Sequence, residues 1–306
     1  LGWLSDRIGR RPVMLGGLAL FALGSVVAAL ADSVYLVTVG RVLQGAGAIA
    51  GAILAFAADV TREEQRPKVM AIIGASIGLS FAAAMVLGPL LAKAAGLSGV
   101  FWFTALLACC AMLLVAFLLP QSVNKAPMAE TLALRQSLGA MLIHRQLLQL
   151  DGGVLLLHLM LTAMFVVLPS LLQQSGLESL QHWQFYFPLL LGSFVLMLPM
   201  MIIAMRKAQE KAFFLLAIAL LSSAMLLAML WSGFWPLTLA LLLFFIGFNF
   251  LEASLPALVS RIAPAGQRGS AMGIYSSSQF FGAFLGGALG GAIMQHSGYQ
   301  ALFAAL

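Results

Sequence analysis

The chain has 306 residues, 62% of them hydrophobic and only 8% charged, against about 25% charged in a soluble globular domain. So much apolar surface exceeds what a soluble core can bury, and lipid has to cover the excess. The net charge of +6 therefore reports membrane topology rather than a nucleic-acid partner, because a bilayer discriminates Lys and Arg loop by loop.

The chain opens on a basic segment, 1–11, reading Gly2-Trp-Leu-Ser-Asp6-Arg7-Ile-Gly9-Arg10-Arg11. Runs of about 20 mostly apolar residues, the length that crosses a bilayer, follow near 12–31, 34–58, 69–92, 100–120, 147–172, 184–205, 212–231, 235–258 and 268–294. A tenth begins near 297. The sequence thus predicts an all-α polytopic membrane protein. When the connecting segments are assigned alternately to two sides, one side collects 1–11, 59–68, 121–146, 206–211 and 259–268. That side holds 14 of the 16 basic residues, the other holds Lys93 alone, and Arg41 lies within a span. The positive-inside rule makes the first side cytoplasmic, including loops 59–68, 121–146 and 206–211. Adjacent Cys109 and Cys110 sit in an apolar run and read as small helix residues, not as metal ligands or a disulfide.

The break at 121–146 reads as a linker, with a surface helix over 132–142 whose apolar stripe is Leu132, Leu138, Met141 and Leu142. It separates a bundle at 1–120 from one at 147–306. An internal repeat agrees with two bundles. Arg66-Pro-Lys-Val-Met70 opens one span, Arg268-Gly-Ser-Ala-Met272 opens another 202 residues later, and the same offset sets Gly88 over Gly290. Transporters built from repeats leave this kind of self-similarity.

Two motifs carry a family resemblance. Gly2-Trp-Leu-Ser-Asp6-Arg7-Ile-Gly9-Arg10-Arg11-Pro-Val-Met-Leu15 resembles the cytoplasmic loop signature of the major facilitator superfamily. Arg41-Val-Leu-Gln44-Gly45-Ala-Gly47-Ala48 resembles that family's helix-four motif. The stretches Gly247-Phe-Asn249-Phe-Leu-Glu252-Ala and Tyr275-Ser-Ser-Ser-Gln279-Phe make the chain look most like the YajR-like proton-driven drug efflux subgroup. The resemblance implies two six-helix bundles related by a pseudo-two-fold axis, working in a bacterial inner membrane. The chain would then begin at helix three of twelve and stop early in helix twelve, and in YajR-type proteins a soluble domain follows. The family's glycine-rich helix-five motif survives here only as Gly88-Pro89, with Ala84, Ala92 and Lys93 at its other glycine positions.

The resemblance gives the charged residues roles. In the opening loop, Gly2 and Gly9 are expected to allow tight backbone turns. Asp6 is expected at the N-terminus of the helix that starts near Arg268, where the helix dipole favours an anion. Arg10, with Arg7 beside it, is expected to reach Asp59 and so complete a latch between the bundles. Arg41 lies about 10 Å into its span at 1.5 Å per residue, with Gln44 one turn on to share its hydrogen bonds and Gly45 open to a neighbouring helix. Glu252 is the one acid deep in a span, and a carboxyl there is costly unless it has a task. It is the candidate proton carrier, and Asn249 lies one turn away on the same side. His158 reads as a hydrogen-bonded histidine and a weaker coupling candidate. Gly282, Gly286 and Gly290 make a small-residue stripe for close packing.

The expected function is efflux of a small hydrophobic or amphipathic compound against protons by a monomer in the lipid bilayer. The proton gradient would be the driving force, with no cofactor, no metal and no nucleic acid. The alternatives are a symporter or uniporter of the same fold importing a metabolite and, more remotely, a membrane-embedded enzyme. An enzyme would need clustered acids, bases or metal-spaced ligands, and an ATP-driven pump would need a phosphate-binding loop; the sequence has neither.

Overall fold

The computed structural model describes residues 1–119, 139, 143–178, 181–231, 233–264 and 267–306, and these are mostly helical with no strand among them. The elements are α1 (Gly2–Ile8), α2 (Arg10–Ala29), α3 (Val34–Ala46), α4 (Ala50–Val60), a 3₁₀ turn (Glu63–Gln65), α5 (Arg66–Leu118), α6 (Arg145–Gln174), α7 (His182–Arg206), α8 (Glu210–Leu230), α9 (Phe234–Ile262) and α10 (Arg268–Ala305). Most of the expected linker, including Leu132, Leu138, Met141 and Leu142, lies outside the described residues. Seven helices among the described residues are long and apolar enough to cross a membrane.

The helix ends follow from glycine chemistry. The expected opening loop is instead mostly helix. α1 and α2 are separated by Gly9 alone, whose φ of 98° is a backbone state other residues rarely adopt. The expected single run at 34–58 is two helices, α3 and α4, meeting at Gly47–Ile49. There Gly47 lies against the backbone of Phe21 in α2, and a Cβ would sit 2.5 Å from its nitrogen. Gly24 and Gly40 let α2 and α3 cross closely in the same way.

The two longest helices each merge two predicted spans across a glycine. α5 passes Gly96 (φ 67°, ψ −175°) and α10 passes Gly298 (φ 77°, ψ 178°). These positions are 202 residues apart, the offset already read from Arg66 and Arg268, so the repeat is written in backbone conformation as well as in side chains. Both lie in a region essentially reserved for glycine. Gly96→Ala or Gly298→Ala is expected to cost about 1–3 kcal/mol each, read as a lowered melting temperature in detergent.

The described residues form two compact units. The first gathers Leu1–Arg66, Leu87–Gln149 and Leu258–Ser276; the second gathers Pro67–Val86, Leu150–Ala257 and Ser277–Leu306. In the second unit, Gly282, Gly286 and Gly290 of α10 lie on the backbone of α6, where added Cβ atoms would overlap the carbonyl oxygens of Leu155 and Leu159 and sit 2.9 Å from the Ala163 Cα. Gly45 and Gly88 behave otherwise. A Cβ on either meets nothing within 4 Å, so neither admits a described neighbour, and Pro89 continues inside α5. Gly286→Leu is therefore expected to destabilise by about 1–3 kcal/mol or more through overpacking. Gly88→Ala should be neutral or slightly stabilising in a helix, and thermal melts of the purified protein separate the two.

Candidate functional site

Two polar clusters stand out from the apolar helices. The first is in the first unit. The opening turn of a helix leaves backbone N–H groups without intrahelical partners, and for α10 a carboxylate from another helix supplies them. Asp6 accepts hydrogen bonds from the Gly269 N–H (2.9 Å), the Ser270 N–H (2.7 Å) and the Ser270 hydroxyl (3.0 Å). Its charge also lies at the positive end of the helix dipole. Arg10 completes the set. Its Nη1 lies 2.7 Å from Asp6 and 2.5 Å from the Ser5 hydroxyl, while Nε and Nη2 reach Asp59 at 3.0 and 2.9 Å. Arg268 meets the other oxygen of Asp59 at 3.5 Å.

Asp6 and Arg10 side chains are only 5% and 7% exposed, so these bonds are charge-assisted and largely dry, the stronger kind. Gly2 takes part differently from expectation. It is inside α1 and makes no turn; its lack of a side chain lets α1 approach α10, since a Cβ would lie 2.8 Å from the Gly273 Cα. Gly269 likewise leaves room for Asp6 and Arg10. Arg7 does not join the ion network. It is exposed, with its guanidinium 4.9 Å from the Trp3 ring centre.

The second cluster is in the second unit and joins three helices. Gln279 of α10 donates from Nε2 to Glu252 of α9 (3.1 Å) and lies 2.8 Å from His158 Nε2 of α6. His158 Nδ1 is 3.2 Å from the Val154 carbonyl. A carbonyl only accepts, so Nδ1 carries the hydrogen and Nε2 is the acceptor for the Gln279 amide. Glu252 Oε2 has no hydrogen-bond partner, and His158 Nε2 is 3.8 Å from it. Both side chains are nearly buried, at 10% and 12% exposed, and Phe248 packs beside the imidazole. The arrangement sets two proton-accepting groups, the Glu252 carboxyl and the His158 imidazole, on either side of the Gln279 amide.

Asn249 is not part of this cluster. Its amide turns to the Ser193 hydroxyl on α7 at 3.0 Å. Arg41 donates to Gln44 (2.7 Å), and Gln44, itself buried, donates to Ser25 (2.7 Å). This chain aims the guanidinium from α3, and Arg41 is otherwise exposed. Gln279 and Arg268 stand in motifs read from the sequence but carried no site role there, and Ser270 and Ser5 were not singled out. Gln279 had a usable signal, an amide in a glycine- and serine-rich span. Ser5 had none.

The family described as Major Facilitator Superfamily matches residues 1–209 and 153–306. The chain is 43% identical over 295 residues to the inner membrane transport protein YajR of Escherichia coli K12, covering 95% of this chain and 64% of that protein. It thus spans just under two thirds of that relative's length. The multidrug resistance protein MdtL of Escherichia coli is 34% identical over 131 residues, 42% of this chain and 34% of that one. Among solved structures, the human organic anion transporter MFSD10 (TETRAN) superposes with a TM-score of 0.81 at 25% identity, over 99% of this chain and 76% of its own.

Proposed function

This chain belongs to the major facilitator superfamily, and from that premise we propose proton-coupled efflux of small hydrophobic or amphipathic compounds by alternating access, carried out by a monomer. Its relatives are transporters rather than enzymes, and a multi-pass helical protein of the inner membrane suits that task. The observation that carries the proton part is the Glu252–Gln279–His158 cluster. A nearly buried carboxyl without a cation is expensive to keep charged, and a basic imidazole within 4 Å gives its proton a second seat. The name of the multidrug resistance relative supports the substrate class.

The Asp6–Arg10–Asp59 cluster acts as the cytoplasmic latch. It ties the first turn of α10 to α1, α2 and α4, and its release frees that turn. Gln279 lies nine residues beyond Ser270 on the same helix. Arg41, held by Gln44 and Ser25, presents a fixed cation for substrate or proton coupling.

The test is transport in inverted vesicles carrying the full-length protein, with hydrophobic cations or neutral drugs added while the internal pH is followed. Added substrate is expected to release protons from the acidified lumen. If no such compound dissipates the gradient, proton-coupled drug efflux is abandoned and import of a metabolite becomes the working reading.

A further inference from the structure

Away from both clusters, α7 and α9 enclose a groove of about 560 Å³. Its walls run from Gln184 and Trp235 past Pro188 to Gly192, Leu196 and Leu242. Polarity is graded along it. At one end Gln184 is exposed, and Pro188, lacking an N–H, deprives the Gln184 carbonyl of its usual helical donor. Trp235 is 78% exposed at the same end, as interfacial tryptophans are. Further in, the wall is carbon. The Thr238 hydroxyl on that wall is already spent on the Phe234 carbonyl at 2.7 Å.

The groove also has an orientation and a length. α7 ends at Arg206, followed by Lys207, and the positive-inside rule sets that basic end on the cytoplasmic side, so its Gln184 end faces the outside. Gln184 to Leu196 is twelve residues, about 18 Å of helix, close to half of the roughly 30 Å hydrocarbon core. At Gly192 a Cβ meets nothing within 4 Å, so the floor is bare at the depth where an outer-leaflet chain ends.

We infer that this groove holds one acyl chain of an outer-leaflet phospholipid, with the glycerol and head group at Gln184 and Trp235. A polar rim, an apolar trough one leaflet deep and an open glycine floor match an amphiphile with one long tail in the groove. They offer nothing to a polar solute.

The experiment uses the protein in nanodiscs of phosphatidylethanolamine and phosphatidylglycerol, doped with a phosphatidylethanolamine bearing a mid-chain diazirine. After irradiation, labelled peptides are located by mass spectrometry. Labelling around Gly192 and Leu242 is expected to exceed that of the lipid-facing side of α8 by about tenfold, the ratio that about 1.4 kcal/mol of preference gives. Gly192→Trp, which fills the floor, should bring it down to the α8 level without changing labelling elsewhere. Leu196→Trp, at a half-exposed site, serves if the glycine variant fails to fold. Labelling equal to α8, or enrichment that survives both substitutions, overturns the assignment. So does displacement of the lipid by a transported compound, which would give the groove to substrate instead.

Discussion

Replacing Asp6 with asparagine is expected to cut transport by about an order of magnitude while leaving membrane insertion intact. Asparagine keeps one oxygen for the N–H groups of Gly269 and Ser270 but loses the charge that Arg10 and the helix dipole favour. Hydrogen bonds to a charged group contribute about 1.5–3 kcal/mol, so the ratio of latched to unlatched protein falls roughly 10–150-fold. Arg10 retains Asp59, which limits the damage to α10. Efflux rates in inverted vesicles and thiol accessibility of a cysteine placed near Ser270 measure the two sides of this prediction. Arg7→Gln is the control, because Arg7 is exposed and outside the network; its transport should match wild type. If Asp6→Asn matches wild type in both assays, the opening segment serves only topology.

The second large effect is expected at Glu252. Glu252→Gln preserves volume and an oxygen for the Gln279 amide, yet it carries no titratable proton. Substrate-induced proton release should fall to background, while downhill exchange of substrate continues. The melting temperature should not drop, because Oε2 has no hydrogen bond to lose and the substitution removes a carboxyl that is costly to ionise where it is nearly buried. A variant that still couples proton flow to transport would exclude Glu252 as the carrier. His158→Asn sharpens the result. It removes the second seat for the proton but leaves the carboxyl, so coupling should persist with altered pH dependence.

Much of this was legible in the residues. Asp6, Arg10 and Asp59 could be connected without coordinates because the opening segment resembles a family signature that places its acid at a helix N-terminus, and topology alone needs neither that acid nor the glycines. The offset of 202 residues was read from Arg66 and Arg268, and the structure extends it to Gly96 and Gly298, which share a backbone state that only glycine readily occupies. Charge placement gave sidedness, because moving Lys and Arg across a bilayer is costly enough to be written into composition.

Other features depend on distances between helices far apart in sequence. Nothing in the spacing of Asn249 and Glu252 tells that one amide turns to Ser193 while the other side chain meets Gln279. A single turn of helix places both on one side, and only the neighbouring helices decide the partner of each. Gly45 and Gly282 are equally small, yet only Gly282 has a backbone pressed against it. Gly2 looked like a turn residue and proved to be a contact surface. The sequence by itself determined that the chain is helical, membrane-embedded and oriented, because hydropathy and charge act residue by residue. Which polar groups meet, and which glycines carry the packing, was decided by tertiary structure, because hydrogen bonds and van der Waals contacts act only over a few ångströms.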